Sequence, residues 1–261
     1  MERKVILSTN DNINYSFFAP ITCWMWRQFG YEPILMTMGE IQDIVLKYLP
    51  KNIEIYRLKQ IPGYKPETVS QVGRLYGSLL CEDTDYVLLG DIDMLPLSTV
   101  FVDRFPVDGI TVMGWDITGY TEIPVCYVGM TAQKWVDIYP NLSRMHDTLE
   151  DWMQFDMAKY TYNPDDFYNW WSLDQRMLTS WLKDVIKNDI PRGSGSNGVG
   201  GRVCRSNWKF PEHPKESLID CHAMTPGQTP ANFDRNLEVI KKVTTDWEWI
   251  VDYYKEFTNE I

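Results

Sequence analysis

The chain opens with apolar runs that alternate with segments of helical spacing. Val5-Ile6-Leu7-Ser8-Thr9 predicts a short buried strand, and the turn formers Asn10-Asp11-Asn12-Ile13-Asn14 close it. Tyr15 to Phe29 reads as an aromatic-rich helix with Gly30 as its stop. Ile34-Leu35-Met36 predicts a second strand, Ile41 to Tyr48 a short helix closed by Pro50, and Ile53-Glu54-Ile55-Tyr56 a third strand. Thr68 to Leu80 has helical spacing, with Val72, Leu75, Leu79 and Leu80 on one side. Asp85 then leads into Tyr86-Val87-Leu88-Leu89, a continuous apolar run of the kind that forms a central strand buried on both faces. Strands alternating with helices in this way predict an α/β nucleotide-binding type of sheet.

The second half is less regular. Ile110 to Gly114 and Val125 to Met130 are strand candidates, and Thr131 to Tyr139 is a helix with Thr131 as its N-cap. Residues 143 to 160 are helical in pattern. Leu173 to Ile186 places Leu173, Met177, Leu178 and Leu182 on one inward face. Residues 191 to 201 form a Gly/Ser-rich loop with the length of a lid. Residues 232 to 256 predict one C-terminal helix. Without repeats or linkers, the expectation is a single α/β domain over residues 1–261: a nucleotide-binding type of half to about 100, a second half to about 230, then the terminal helix.

Composition narrows the function. Of 261 residues, 44% are hydrophobic and 23% charged, values that suit a folded domain rather than a disordered chain. The formal net charge of -11 argues against general nucleic-acid binding, which needs a basic surface. Five cysteines without CxxC spacing read as reduced thiols rather than a zinc site or a disulfide framework. Met1-Glu2-Arg3-Lys4 and the short run Val5-Ile6-Leu7 do not make a signal peptide, and no stretch has the length of a membrane span. A cytoplasmic protein is the expectation.

The chemistry concentrates at Asp91-Ile92-Asp93, immediately after the central strand and Gly90. Ligands of open α/β sheets bind at the carboxyl ends of strands, and two carboxylates there offer hard oxygens to magnesium or manganese. A DxD tripeptide alone is common, and as a turn with exposed acids it would mean little. Here it lies in Val87-Leu88-Leu89-Gly90-Asp91-Ile92-Asp93-Met94-Leu95-Pro96-Leu97, with a strand before it and an apolar exit after it.

That setting resembles the GT-A glycosyltransferases, whose DxD motif binds a metal ion and the diphosphate of a sugar nucleotide. Other segments resemble the same plan in the same order. The resemblance assigns Thr9 and Asn10 to the nucleoside, Arg74 to the donor phosphate or sugar, and Cys126-Tyr127-Val128-Gly129-Met130 to the strand beside the sugar. It places Asp174 and Gln175 over the donor sugar and assigns Asp91, Asp93 and His222 to the metal, as in retaining enzymes of glycosyltransferase family eight. Two features of family eight are missing: the Asn before the small residue at Tyr127-Val128-Gly129, and the Lys-Pro-Trp after the late His. Retention or inversion therefore stays open. Asp174 would be a base in an inverting enzyme, whereas in a retaining one it would orient the donor, with Gln175 near the anomeric carbon.

Each residue also has a plainer reading. Asp174 stabilises a helix start, Arg74 is a solvated helix residue, and Trp170 and Trp171 are core side chains rather than an acceptor platform. Arg202 and Arg205 flank the Gly-rich loop and would close on the diphosphate beside Asp91, Ile92 and Asp93, or else sit on an ordinary surface loop. Asp116 is a further candidate for a sugar hydroxyl, and His146 and His213 read as surface residues. The implied activity is metal-dependent transfer of a hexose or pentose from a uridine or guanosine diphosphate sugar to a glycan or glycoconjugate hydroxyl. The alternatives are a sugar-phosphate nucleotidyltransferase, weakened by the lack of Gly and Lys in Ser8-Thr9-Asn10-Asp11-Asn12, and a non-catalytic carbohydrate-binding protein. No GxSxG, HExxH or P-loop motif offers another chemistry.

Overall fold

Strands β1 (Arg3–Asn10), β2 (Glu32–Met38), β3 (Glu54–Leu58) and β4 (Tyr86–Leu89) run parallel, with β1 between β2 and β4 and β3 outside β2. The computed structural model describes residues 1–98, 109–112, 122–139, 148–189, 202–206, 208, 210 and 218–260. After β5 (Met94–Pro96) come β6 (Thr111–Val112) and β7 (Val128–Thr131); β7 pairs antiparallel with β4, and β6 pairs antiparallel with β7. Among the described residues this gives a mixed, mostly parallel six-stranded sheet, ordered β3-β2-β1-β4-β7-β6. The short strands β8 (Val203–Cys204) and β9 (Asp220–His222) join β5 in a second sheet, ordered β5-β9-β8.

The side-chain alternation of β1 divides the core. Val5 and Leu7 point into one hydrophobic cluster and Ile6 into the other, all fully buried. The first cluster is covered by α1 (Ile13–Ser16), α2 (Ala19–Gln28) and α3 (Asp43–Tyr48), and by two late helices through Phe233, Leu237, Tyr253 and Phe257. The second is covered by α4 (Pro66–Gly73), the 3-10 helix Arg74–Leu80, α5 (Ala132–Ile138) and α6 (Leu149–Met157). After α7 (Phe167–Trp171), helix α8 (Leu173–Asp189) joins this layer, with Leu173, Met177, Leu178 and Leu182 all buried on the expected face. Thr131 caps α5 as its sequence implies, its hydroxyl accepting from the Lys134 amide at 3.3 Å. No helix among the described residues is long and apolar enough to cross a membrane.

Several boundaries differ from the sequence pattern. The expected helix from Tyr15 to Phe29 is two helices, because Pro20 lacks an N–H and fits only the first turn of a new one. The 68–80 segment starts as α-helix at Pro66 and tightens to 3-10 at Arg74. Close packing accompanies the change: a Cβ on Gly73 would lie 2.5 Å from Leu58 and one on Gly77 2.4 Å from Ile6. The C-terminal helix is also two, α9 (Pro230–Val243) and α10 (Glu248–Glu260). Between them the Thr244 hydroxyl accepts from the Asp246 amide, a local bond that competes with the helical one. Within 125–130 the strand begins only at Val128, because Tyr127 adopts φ 64. The Gly/Ser-rich loop, Asp116, His146, His213, residues 113–114 and residues 143–147 lie outside the described residues.

Candidate functional site

The strand order reverses between β1 and β4, and the crevice outside their carboxyl ends is where an open α/β sheet binds ligands. A cavity of about 350 Å³ opens there. Ser8, Thr9 and Asn10 enter it from the end of β1, and Asp91, Ile92 and Asp93 from the turn after β4. The backbone of that turn is pinned at each residue. Asp91 O accepts from Met94 N at 3.2 Å, Ile92 O from Thr22 Oγ1 at 2.6 Å, and Asp93 O from Ala223 N at 2.9 Å.

The second sheet supplies the opposite wall. Pairing of Met94 with His222 sets Asp93 beside the imidazole, and pairing of Cys204 with His222 brings Arg205 to the same spot. Asp93 Oδ2 accepts from Arg205 Nη1 at 2.7 Å and lies 3.5 Å from His222 Nε2. Burial alone would raise the Asp93 carboxyl, but His222 and then Arg205 hold it below the usual carboxylate range. Burial would lower His222, yet Asp93 outweighs that and raises it above an ordinary histidine. Arg202 also faces the cavity, but its fork is closed on Asp220, with Nε to Oδ1 at 2.8 Å and Nη2 to Oδ2 at 2.6 Å.

A third wall comes from α4 and α8. Arg74 is buried and joins two carboxylates: Nη1 donates to Asp91 Oδ1 and to Gly90 O, and Nη2 donates to Asp174 Oδ2 at 2.6 Å. The other Asp174 oxygen accepts from the Gln175 amide at 2.8 Å. Burial drives the Asp174 carboxyl above the ordinary range despite the opposing pull of Arg74. Cys126, beside Asp91, has its thiol pushed up to about 12 by burial.

Eleven residues assigned from the sequence to donor, metal or catalysis line one cavity: Thr9, Asn10, Arg74, Asp91, Ile92, Asp93, Asp174, Gln175, Arg202, Arg205 and His222; of the segment assigned beside the sugar only Cys126 does. Among the described residues, however, no three His, Cys, Asp or Glu side chains come together as a ready-made metal cluster. Asp93 and His222 are adjacent, while Asp91 is drawn to Arg74. Trp171 lines the cavity; Trp170 packs behind it, edge-on to the Trp171 ring at 5.5 Å.

The sequence reading missed Tyr15, Glu67 and Gln71, which also line the cavity. Glu67, Ser70, Gln71 and Arg74 recur at intervals of three and four, one polar face of a helix whose other face is core. That periodicity is visible in the sequence, but a polar helix face ordinarily reads as solvent-facing. Tyr15 carries no comparable signal. It reaches the cavity from α1, and burial and the Asp93 charge raise its hydroxyl.

No protein-family model matches this sequence, and no curated protein matches it. Among solved structures the chain is similar to the galactosyltransferase LgtC in complex with donor and acceptor sugar analogues, with TM-score 0.51 and 15% identity over 95% of this chain and 99% of that one. It is also similar to the apo form of the glycosyltransferase GlyE of Streptococcus pneumoniae TIGR4, with TM-score 0.50 and 11% identity over 100% of this chain and 64% of that one. The likeness is one of fold: the chain has the GT-A type α/β architecture that its motif order implies.

Proposed function

We propose that this chain is a glycosyltransferase that takes its sugar from a nucleoside diphosphate donor, a uridine or guanosine diphosphate sugar, and passes it to a hydroxyl of a glycan or glycoconjugate. One observation carries the reading: a single cavity at the strand switch point holds Asp91, Asp93, Asp174 and His222 together with the guanidinium groups of Arg74 and Arg205. A binding module has no need of so many charged groups in one recess. The reading places the nucleoside against Thr9 and Asn10, within the first hundred residues or so, and the sugars against residues further along the chain. The five free thiols suit a reducing, cytoplasmic setting.

A manganese or magnesium ion belongs to the proposal, and the donor chemistry fits one. Asp93 offers a hard carboxylate oxygen 3.5 Å from the His222 nitrogen, close enough for both to serve one ion. Two protein ligands suffice where substrate phosphate oxygens complete the set, and Asp91 lines the same cavity, held by Arg74. When bound, the metal would withdraw charge from the diphosphate and favour its departure.

The chain's own residues account for the rest. Arg205 is the cation placed to meet the diphosphate, and its present bond to Asp93 keeps it at the cavity wall. Arg74 fixes Asp91 and Asp174 relative to each other across the cavity. Both Asp174 oxygens already accept hydrogen bonds, which favours a carboxylate that orients the donor sugar over a free general base. Gln175 then lies on the sugar side. The committed fork of Arg202 favours a positioning role, holding Asp220 and the strand that carries His222.

The test is hydrolysis or transfer with a panel of sugar nucleotides in the presence of manganese. Loss of turnover in excess chelator and in Asp93→Ala is expected. Full activity under either condition would sink the metal role, and inertness toward every sugar nucleotide would sink the reading itself.

A further inference from the structure

Phe167 and Tyr168 are adjacent on α7 and are 62% and 58% exposed, unusual for large apolar rings. They are not isolated. Phe167 stacks on Trp171 at 5.5 Å with 14° between the planes, as residues four apart on a helix can. Trp171 lines the cavity and lies 6.2 Å from Tyr15, which lines it too. A continuous aromatic track thus runs from the catalytic recess to the outer surface.

The track is braced. Thr68 Oγ1 of α4 donates to Trp170 O at 3.2 Å, and Arg176 Nη2 donates to Asn169 O. Tyr168 Oη donates to Glu122 at 2.7 Å. A ledge fixed before binding spends little ordering entropy on its ligand. Around it the carboxylates Asp165, Asp166 and Glu122 outnumber the cations Lys65, which lies over the Trp170 ring at 4.4 Å, and Arg176, which is bonded to Asn169 O, so the surface is acidic on balance. Anionic glycans and anionic bilayers would be repelled there.

We propose that this ledge binds the acceptor, and that the acceptor is a neutral oligosaccharide whose reacting end enters the cavity while further sugar rings lie on Phe167 and Tyr168. Flat rings with a polar rim suit the apolar faces and hydroxyl edges of such a chain. The proposal rests on the glycosyl-transfer reading of the cavity and adds the substrate class.

The test is a glycan array carrying neutral and acidic oligosaccharides, probed with the wild-type chain, the double variant Phe167→Ala/Tyr168→Ala and the ring-preserving Phe167→Tyr. Neutral glycans of three or more sugars should be retained by the wild type, about tenfold more weakly by the double variant, and near wild-type level by Phe167→Tyr. Both rings are largely exposed, so the double variant should melt within a few degrees of the wild type, which separates lost binding from lost folding. Retention insensitive to the double variant, a preference for acidic glycans, or no retained glycan would overturn the proposal. So would sedimentation with phosphatidylglycerol vesicles that the double variant abolishes, since the ledge would then be a membrane contact. Ring-dependent retention by a chain that hydrolyses no sugar nucleotide would sink the transferase reading and leave the glycan ledge standing.

Discussion

Substituting Arg74→Met would leave the Asp174 carboxylate without its cation in a place where only 1% of the residue meets solvent. Asp174 would keep one hydrogen bond, from the Gln175 amide. Asp91, whose side chain is 30% exposed, can turn to water, so the loss falls mainly on Asp174. Removing one partner of a buried ion pair costs about 3–5 kcal/mol. For a chain of this size that is a fall in Tm of roughly 6–20 °C. The pH dependence carries a sign. An acid whose folded pKa is raised binds its proton more tightly in the native state. Its stabilising contribution is present below the ordinary carboxylate pKa and is lost as pH rises through the raised value. Arg74 restrains that rise, so Arg74→Met should widen the window and lose more stability at about pH 8 than at about pH 5. The double variant Arg74→Met/Asp174→Asn removes the stranded charge and should recover most of the Tm. Differential scanning calorimetry at both pH values reads all three proteins. A loss below about 1 kcal/mol, equal at both pH values and unaffected by Asp174→Asn, would mean that the pair behaves like a surface contact and would refute the clamp.

Manganese with a preferred sugar nucleotide should raise the melting temperature, and a ligand at a hundred times its Kd adds about 2.7 kcal/mol. Asp93→Ala should abolish the manganese-dependent part in a thermal-shift titration while leaving any nucleotide-only part. In metal-free protein the raised His222 contributes stability below the ordinary histidine pKa that disappears as pH rises through its folded value, and His222→Gln should remove that component from the melting curve. Manganese affinity should run the other way, rising over the same window because the imidazole must shed its proton to bind, as calorimetric titration at several pH values would show. Gly129→Ala would place a Cβ 2.4 Å from Tyr86 Oη and 2.9 Å from Leu88, so urea unfolding should show a loss of about 1–3 kcal/mol.

The first sheet was legible because its strands carry a signal that needs no partner. Tyr86–Leu89 is apolar at every position and buried at every position, and the acids after it had nowhere to go but the crevice. The second sheet was not legible. Strands of two or three residues such as Val203–Cys204 and Asp220–His222 have no period to detect, and their register is set by contacts far apart in the chain. Pro20 could have marked the break between α1 and α2, since a proline inside a helical pattern ends or restarts it. The reach of Arg202 to Asp220 could not be read in advance, because spacing does not say which carboxylate a guanidinium will find.

That second sheet decides what the acidic motif can do. With β1 and β4 alone, Asp91 and Asp93 would be two carboxylates at a strand end, a pair that a turn also supplies. The register Met94 to His222 and Cys204 to His222 sets an imidazole and a guanidinium against Asp93, and the tightening of α4 at Arg74 sets a second guanidinium against Asp91. A chain with net charge -11 thus places two guanidinium groups against the acids of this cavity. The acids of the cavity are paired with cations of the chain itself, and on the proposed reading a diphosphate with a divalent ion would exchange partners with groups already in place. On the proposed reading Arg205 would release Asp93 in that exchange, so the two residues would act together; the sequence named both but could not show that they touch.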